Sequence, residues 1–304
     1  MSPFRGIALK LCSVFLFTIM ASLIKATADL VPPGEAVFFR SFFAMPIIVG
    51  WLALRGDLKT GFKVNRPIGH FWRGAIGVTA MGFGFASLGF LPLPEVTAIG
   101  YAAPMLTVIF AAVLLGERLR LFRMAAVVLG LVGVVVVMWP RLSVDEIDDV
   151  ALLGVICILI SAVLRALAQI HIRKLVATEE TSAIVFYFSL TATLFSLLSL
   201  PFGWTWPGMS AVVMLIASGL VGGIAQIFLT ASYKHAEAAL LAPFDYASIL
   251  FAILFGYVFF DEVPTQMVLA GSAIVMAAGG LIIWRERQLG LKRGKARPGM
   301  TPQG

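Results

Sequence analysis

Tyr101-Ala-Ala-Pro-Met-Leu-Thr-Val-Ile-Phe-Ala-Ala-Val-Leu-Leu-Gly-Glu117 is an apolar run opened by a tyrosine and closed by a glutamate. The layout returns at Tyr246-Ala-Ser-Ile-Leu-Phe-Ala-Ile-Leu-Phe-Gly-Tyr-Val-Phe-Phe-Asp-Glu262, 145 positions later. That offset is close to half of the 304 residues, so the repeating unit is half of the chain. What each half contains decides the fold.

Sixty per cent of the residues are hydrophobic and only 13% are charged. Soluble domains carry about 25% charged residues, so this composition is that of a membrane protein. A helix needs about 20 residues to cross a hydrocarbon core of about 30 Å, and lipid leaves the backbone few other ways to bond its polar groups. Ten apolar spans fit, near 6–28, 34–54, 72–91, 95–116, 122–140, 150–172, 181–201, 208–231, 237–260 and 265–284. Each half then holds five spans. Five is odd, so one copy must run opposite to the other through the bilayer. The expected fold is all-α integral membrane, with ten transmembrane helices as two inverted-topology five-helix repeats. These cover 1–145 and 146–285, before a basic, disordered cytoplasmic tail at 286–304.

The charges support this alternation. With the N-terminus in the cytoplasm, 19 of the 23 Lys and Arg fall on the cytoplasmic side and only Arg141 on the other, while Lys25, Arg40 and Arg165 lie within spans. The positive-inside rule therefore places both termini in the cytoplasm of a cell bounded by this inner (plasma) membrane. A net charge of +7 distributed in this way points to the lipid bilayer as partner and not to nucleic acid. Ala26-Thr-Ala28 resembles a signal cleavage site, but cutting there would remove a span from the repeat. Cys12 and Cys157 sit in separate apolar helices and read as buried structural residues.

The sequence resembles a known family at Leu115-Gly-Glu117 and Phe260-Asp-Glu262, where an apolar run ends in an acid before a glycine-containing helix. This pattern is similar to the EamA module, two of which build bacterial members of the drug/metabolite transporter superfamily. The resemblance spans residues 6–285. It implies ten helices, no required cofactor and a small-molecule substrate, often an amino acid moved outward by alternating access. Ala242-Pro-Phe-Asp-Tyr246 is similar to alphaproteobacterial members, some of which export amino acids while others take up a nucleoside-bearing metabolite. An inverted repeat by itself supports transport, since two like halves can exchange conformations around a central site.

Ionisable groups inside spans are costly and each needs an account. Lys25, a turn from the outer end of its span, reads as a snorkelling anchor. Arg40 lies roughly 9 Å below the outer surface. Glu35 is five residues away on another face, so Arg40 either snorkels toward Asp29 or points inward, where its guanidinium fork suits a substrate carboxylate. Asp245 lies roughly 12 Å from the cytoplasmic side, just after Pro243, and Arg165 roughly 10 Å from the same side. Three roles for Asp245 stay open: a structural pair with Arg165, contact with a substrate amino group, and carriage of a coupling proton. A mid-membrane proline frees backbone groups, which makes Pro243 a candidate break, and Pro104 and Pro46 weaker ones. Phe83, Phe85, Tyr101, Tyr246 and Gln226 are expected as cavity walls, and Gly219 with Gly223 as a close helix contact.

Catalytic and ATP-binding signatures are missing. There is no Walker loop and no His-Glu-x-x-His, and His70, His171 and His235 lie near span ends. A transporter is expected, not an enzyme. Amino-acid export leads, with a metabolite importer and a non-transporting receptor or structural protein as rivals.

Overall fold

The computed structural model describes residues 3–58, 61–115, 121–142, 149–175, 178–235 and 241–295. The first half consists of α1 (Pro3–Lys25), α2 (Pro33–Leu54), α3 (Pro67–Phe90), α4 (Leu93–Gly100), α5 (Ala102–Leu115) and α6 (Leu121–Leu142). The second consists of α7 (Asp149–Leu175), α8 (Thr181–Leu197), α9 (Met209–His235), a 3-10 turn at Ala242–Tyr246, α10 (Ala247–Phe260) and α11 (Gln266–Lys295). No strand occurs among the described residues. Counting α4 with α5, and the 3-10 turn with α10, as single crossings gives ten spans.

Prolines mark several starts. Pro33 and Pro67 open α2 and α3, where a missing N–H costs nothing because the first turn has no partner for it. Pro46 lies inside α2 without ending it. Spans four and nine are the interrupted ones. The unbroken parts match, since α5 and α10 begin and end at positions that differ by 145.

The packing repeats when the halves are exchanged. The α1–α9 contact has its mate in α7–α3, α2–α9 in α8–α3, and α10–α1 in α5–α7. The pairs α2–α8, α4–α10 and α6–α11 join equivalent helices directly. This is the contact pattern of an inverted repeat with a pseudo-two-fold axis in the membrane plane. Where lipid-facing chains gain nothing by leaving lipid, close contacts depend on small residues. Gly219 and Gly223 of α9 lie against α2, and a Cβ on Gly219 would come within 2.6 Å of the Phe43 Cβ. Gly271 lets α11 cross α6 with the Gly133 carbonyl 2.6 Å from where a Cβ would be.

Three expectations need correction. Cys157 is buried, but Cys12 is exposed on α1. The tail is not irregular from residue 286: α11 continues to Lys295, through good helix formers and an Arg285 Nη1 to Gln288 Oε1 bond of 3.1 Å. Lys25 is no outward anchor. Its Nζ turns inward to Glu262 Oε1 at 2.8 Å and donates to the carbonyls of Leu88 and Leu91 at 3.1 and 2.8 Å. The far end of α1 packs among other helices, which bring three protein acceptors within reach of the ammonium. Glu117 lies outside the described residues.

Candidate functional site

The two broken spans meet at the centre. Pro104 has no N–H to give the carbonyl of Gly100, four residues earlier, and α4 stops at Gly100. That carbonyl faces the Arg165 Nη2 at 3.4 Å. In the second half Pro243 is the second residue of the 3-10 turn that places Asp245 and Tyr246 ahead of α10. Tyr101 and Tyr246 occupy equivalent positions at these breaks and their rings stack, centroids 4.7 Å apart. The Tyr101 hydroxyl donates to the Asp245 carbonyl and lies 2.8 Å from Ser248 Oγ, which can donate back to it. Gly279 on α11 leaves room for the Tyr246 phenol, which occupies the place of a side chain there.

The Arg165–Asp245 pair weighed from the sequence does not form. Lys10 Nζ takes Asp245 Oδ1 at 2.7 Å. The count of loop charges hid Lys10. Because α1 starts at Pro3, Lys10 lies about 10 Å along the helix, at the same level as the 242–246 turn packed against it. Its side chain is 2% exposed, whereas that of Asp245 is 41% exposed. Arg165 is exposed too, but not to lipid. The apolar stripe of α7, Leu153, Ile156, Ile160 and Val163, is its outer face. At about 100° per residue Arg165 and the equally exposed Gln169 stand on the opposite face. A cationic fork and a carboxylate therefore flank Tyr101 in the interior.

The other sequence candidates lie elsewhere. Arg40 is 8% exposed, its Nε has no hydrogen-bond partner, and it makes no ion pair with Asp29 among the described residues. The glutamate that shares its helix is turned away: Glu35 Oε2 accepts the Thr205 N–H at 3.1 Å. Gln226 lines a small cavity beside Arg40. Phe85 packs on the main core, and Phe83 is half-buried on α3. Two charged residues escaped the sequence reading, Lys10 and Arg73. Both were counted as loop charges, yet each falls in the second turn of its helix. A proline at the helix start is the signal that would have shown this.

Ionic contacts tie the far ends of the helices together, opposite the chain termini. Glu262 accepts the Leu93 N–H at 2.8 Å in addition to Lys25. Asp261 enables this by adopting φ 53, a left-handed turn that aspartate tolerates, which folds Glu262 back over Gly256. Arg141 grips Glu95 with two bonds of 2.9 and 3.0 Å. On the terminus side, Glu179 accepts the N–H groups of Asn65 and Arg66 and lies 3.4 Å from His70 Nε2. Burial pushes the Glu179 carboxyl up, but these donors outweigh it and hold the group below its ordinary range.

Comparison with known proteins agrees with this architecture. The chain is 29% identical over 280 residues to a pseudopaline exporter of Pseudomonas aeruginosa, covering 90% of this chain and 94% of that protein. It is 25% identical over 257 residues to an S-adenosylmethionine uptake transporter of Rickettsia prowazekii, covering 84% of each. A solved crystal structure superposes with a TM-score of 0.67 at 22% identity, over 93% of this chain and 98% of that one, which supports the fold. Residues 4–139 and 152–284 each match the EamA-like transporter family, and the chain belongs to that family as a two-module, ten-helix membrane transporter.

Proposed function

We propose that the protein is a secondary carrier that moves amino acids, or similar solutes with both an ammonium and a carboxylate, across the bacterial inner membrane by alternating access. One observation carries this reading: the Arg165 guanidinium, 3.4 Å from the Gly100 carbonyl, and the half-exposed Asp245 carboxylate lie at the two span breaks that meet in the Tyr101–Tyr246 stack. The fork suits a carboxylate and Asp245 suits an ammonium group. The stacked rings offer an apolar face to the rest of the solute. Lys10 neutralises one oxygen of Asp245, and the carboxylate side chain stays 41% exposed.

The Lys25–Glu262 contact fits a closed far side, and the exposure of Asp245 fits access from the side of the termini. The asymmetry of Lys and Arg supports placing that side in the cytoplasm. Loading there favours export, as in the pseudopaline exporter. The S-adenosylmethionine uptake relatives support import as the second reading.

Purified protein in liposomes, loaded with radiolabelled amino acids, tests this directly. Flux of an amino acid but not of its amide is expected, and Arg165→Lys is expected to weaken transport of the acid by about tenfold through loss of the two-pronged bond. No flux of any amino acid sinks the proposal. Outward preloading against inward uptake separates export from import.

A further inference from the structure

A second pair of arginines lies apart from the Arg165 site. Arg40 on α2 and Arg73 on α3 come from opposite membrane faces, each about 10 Å inside its helix. Their guanidinium carbons lie 6.0 and 4.1 Å from the centre of one ring, Phe188 on α8. They are therefore no more than about 10 Å apart, within reach of each other's repulsion in a low-dielectric interior. Arg73 is held there by Gly77: its Nη1 occupies the space that a side chain at that position would fill.

Neither arginine makes an ion pair among the described residues, and Arg40 Nε, Arg73 Nε and Arg73 Nη1 are buried without any hydrogen-bond acceptor. Arginine does not shed its proton to escape this. A ring face offsets only a fraction of the cost of burying a guanidinium. Beside Arg40 is a cavity of about 10 Å³, walled by Phe188, Ser189, Gly222, Gly223 and Gln226 and with room for about one water-sized group.

We propose that Arg40 and Arg73 form an anion-binding site beside Phe188, in which a small oxyanion group, a carboxylate or a phosphate, places one oxygen in the cavity beside Arg40 between α2, α8 and α9, while Arg73 on α3 supplies the second positive charge from across the ring. The planar forks supply donors for its oxygens, and Gly77 gives the space for the Arg73 side chain. Binding at this site does not depend on the carrier reading. If the oxyanion belongs to the transported solute, the substrate class narrows to solutes with a second anionic group besides the carboxylate at Arg165.

The test is thermal unfolding of the full chain in detergent, titrated at constant ionic strength with sodium phosphate, sodium succinate or sodium chloride. Wild type is expected to gain stability saturably with an oxyanion and not with chloride. Arg40→Gln and Arg73→Met are expected to weaken the apparent affinity by about tenfold or more, with Arg73→Lys in between. Without oxyanion, Arg73→Met is expected to be no less stable than wild type, since an unpaired buried charge has gone. Succinate acting alone assigns the site to a solute carboxylate, and phosphate acting alone assigns it to a free inorganic anion. No saturable shift with either oxyanion, an equal shift in every variant, or a shift with chloride alone overturns the proposal. So does a destabilised Arg73→Met in oxyanion-free buffer, which would make the arginines props of the fold. A persistent shift in a protein that moves no amino acid leaves this site standing while the carrier reading fails.

Discussion

Tyr101 and Tyr246, equivalent residues of the two halves, stack with centroids 4.7 Å apart and planes 25° from parallel, across the pseudo-two-fold axis of the molecule. Each marks the point where its span breaks. The broken spans therefore touch through their most polar aromatic residues, and the Tyr101 hydroxyl binds the backbone of the opposite break.

The stack depends on Gly279, whose missing side chain makes room for the Tyr246 phenol. Gly279→Ala is expected to push Tyr246 off Tyr101 and to lower stability by about 1–3 kcal/mol, an overpacking cost. Tyr246→Ala introduced in the same chain removes the clash, so the double variant is expected to regain stability without regaining flux. Unfolding midpoints and liposome flux measured side by side check both halves of this expectation.

Lys10 is buried and Asp245 is not, so the pair is unequal. Asp245→Asn removes the carboxylate countercharge from a buried ammonium and is expected to cost about 2 kcal/mol, less than for a fully buried pair because Asp245 is 41% exposed. Lys10→Met together with Asp245→Asn is expected to recover most of that loss. Flux stays absent in both if Asp245 receives the solute, and flux in the double variant equal to wild type contradicts that role. Loss of pH-dependent flux in any Asp245→Asn protein that still transports would mark Asp245 as the proton carrier.

At the far side, Lys25 serves three acceptors while Glu262 serves one N–H and one ammonium. Lys25→Met is therefore expected to destabilise more than Glu262→Gln, by about 3–5 kcal/mol against about 1–2 kcal/mol, since the amide still accepts from Leu93. Equal losses in thermal unfolding would mean that the carbonyl contacts add nothing.

Glu179 has its carboxyl held below the usual 4.5 by the N–H groups of Asn65 and Arg66 and by His70, against the opposing effect of burial. A depressed carboxylate contributes its stability in full above the unfolded value and loses it as pH falls through the folded one. The α2–α3 and α7–α8 connections are thus expected to separate on acidification below 4.5. Glu179→Gln is expected to lower stability at neutral pH and to flatten this acid dependence. Parallel acid profiles for the two proteins would remove Glu179 as the cause.

The number of spans, their inversion and the break at Pro243 were legible in the sequence because hydropathy, repeat offset and proline chemistry act along the chain. Tyr101 and Tyr246 could be matched by their spacing alone, and Gly219 with Gly223 by theirs. Ion pairing obeys a different geometry. Whether Asp245 meets Arg165 or Lys10 depends on the rotation of three helices about their axes and on their relative height, neither of which a hydropathy count contains. The same blindness counted Arg73 among loop charges, although one turn further on Gly77 clears a place for it inside the bundle. The order of apolar and charged residues determined that the chain crosses a membrane ten times as two opposed halves. The tertiary structure decided which charges are neutralised and which are left facing inward, because only packing in three dimensions sets the few ångströms over which charges choose partners.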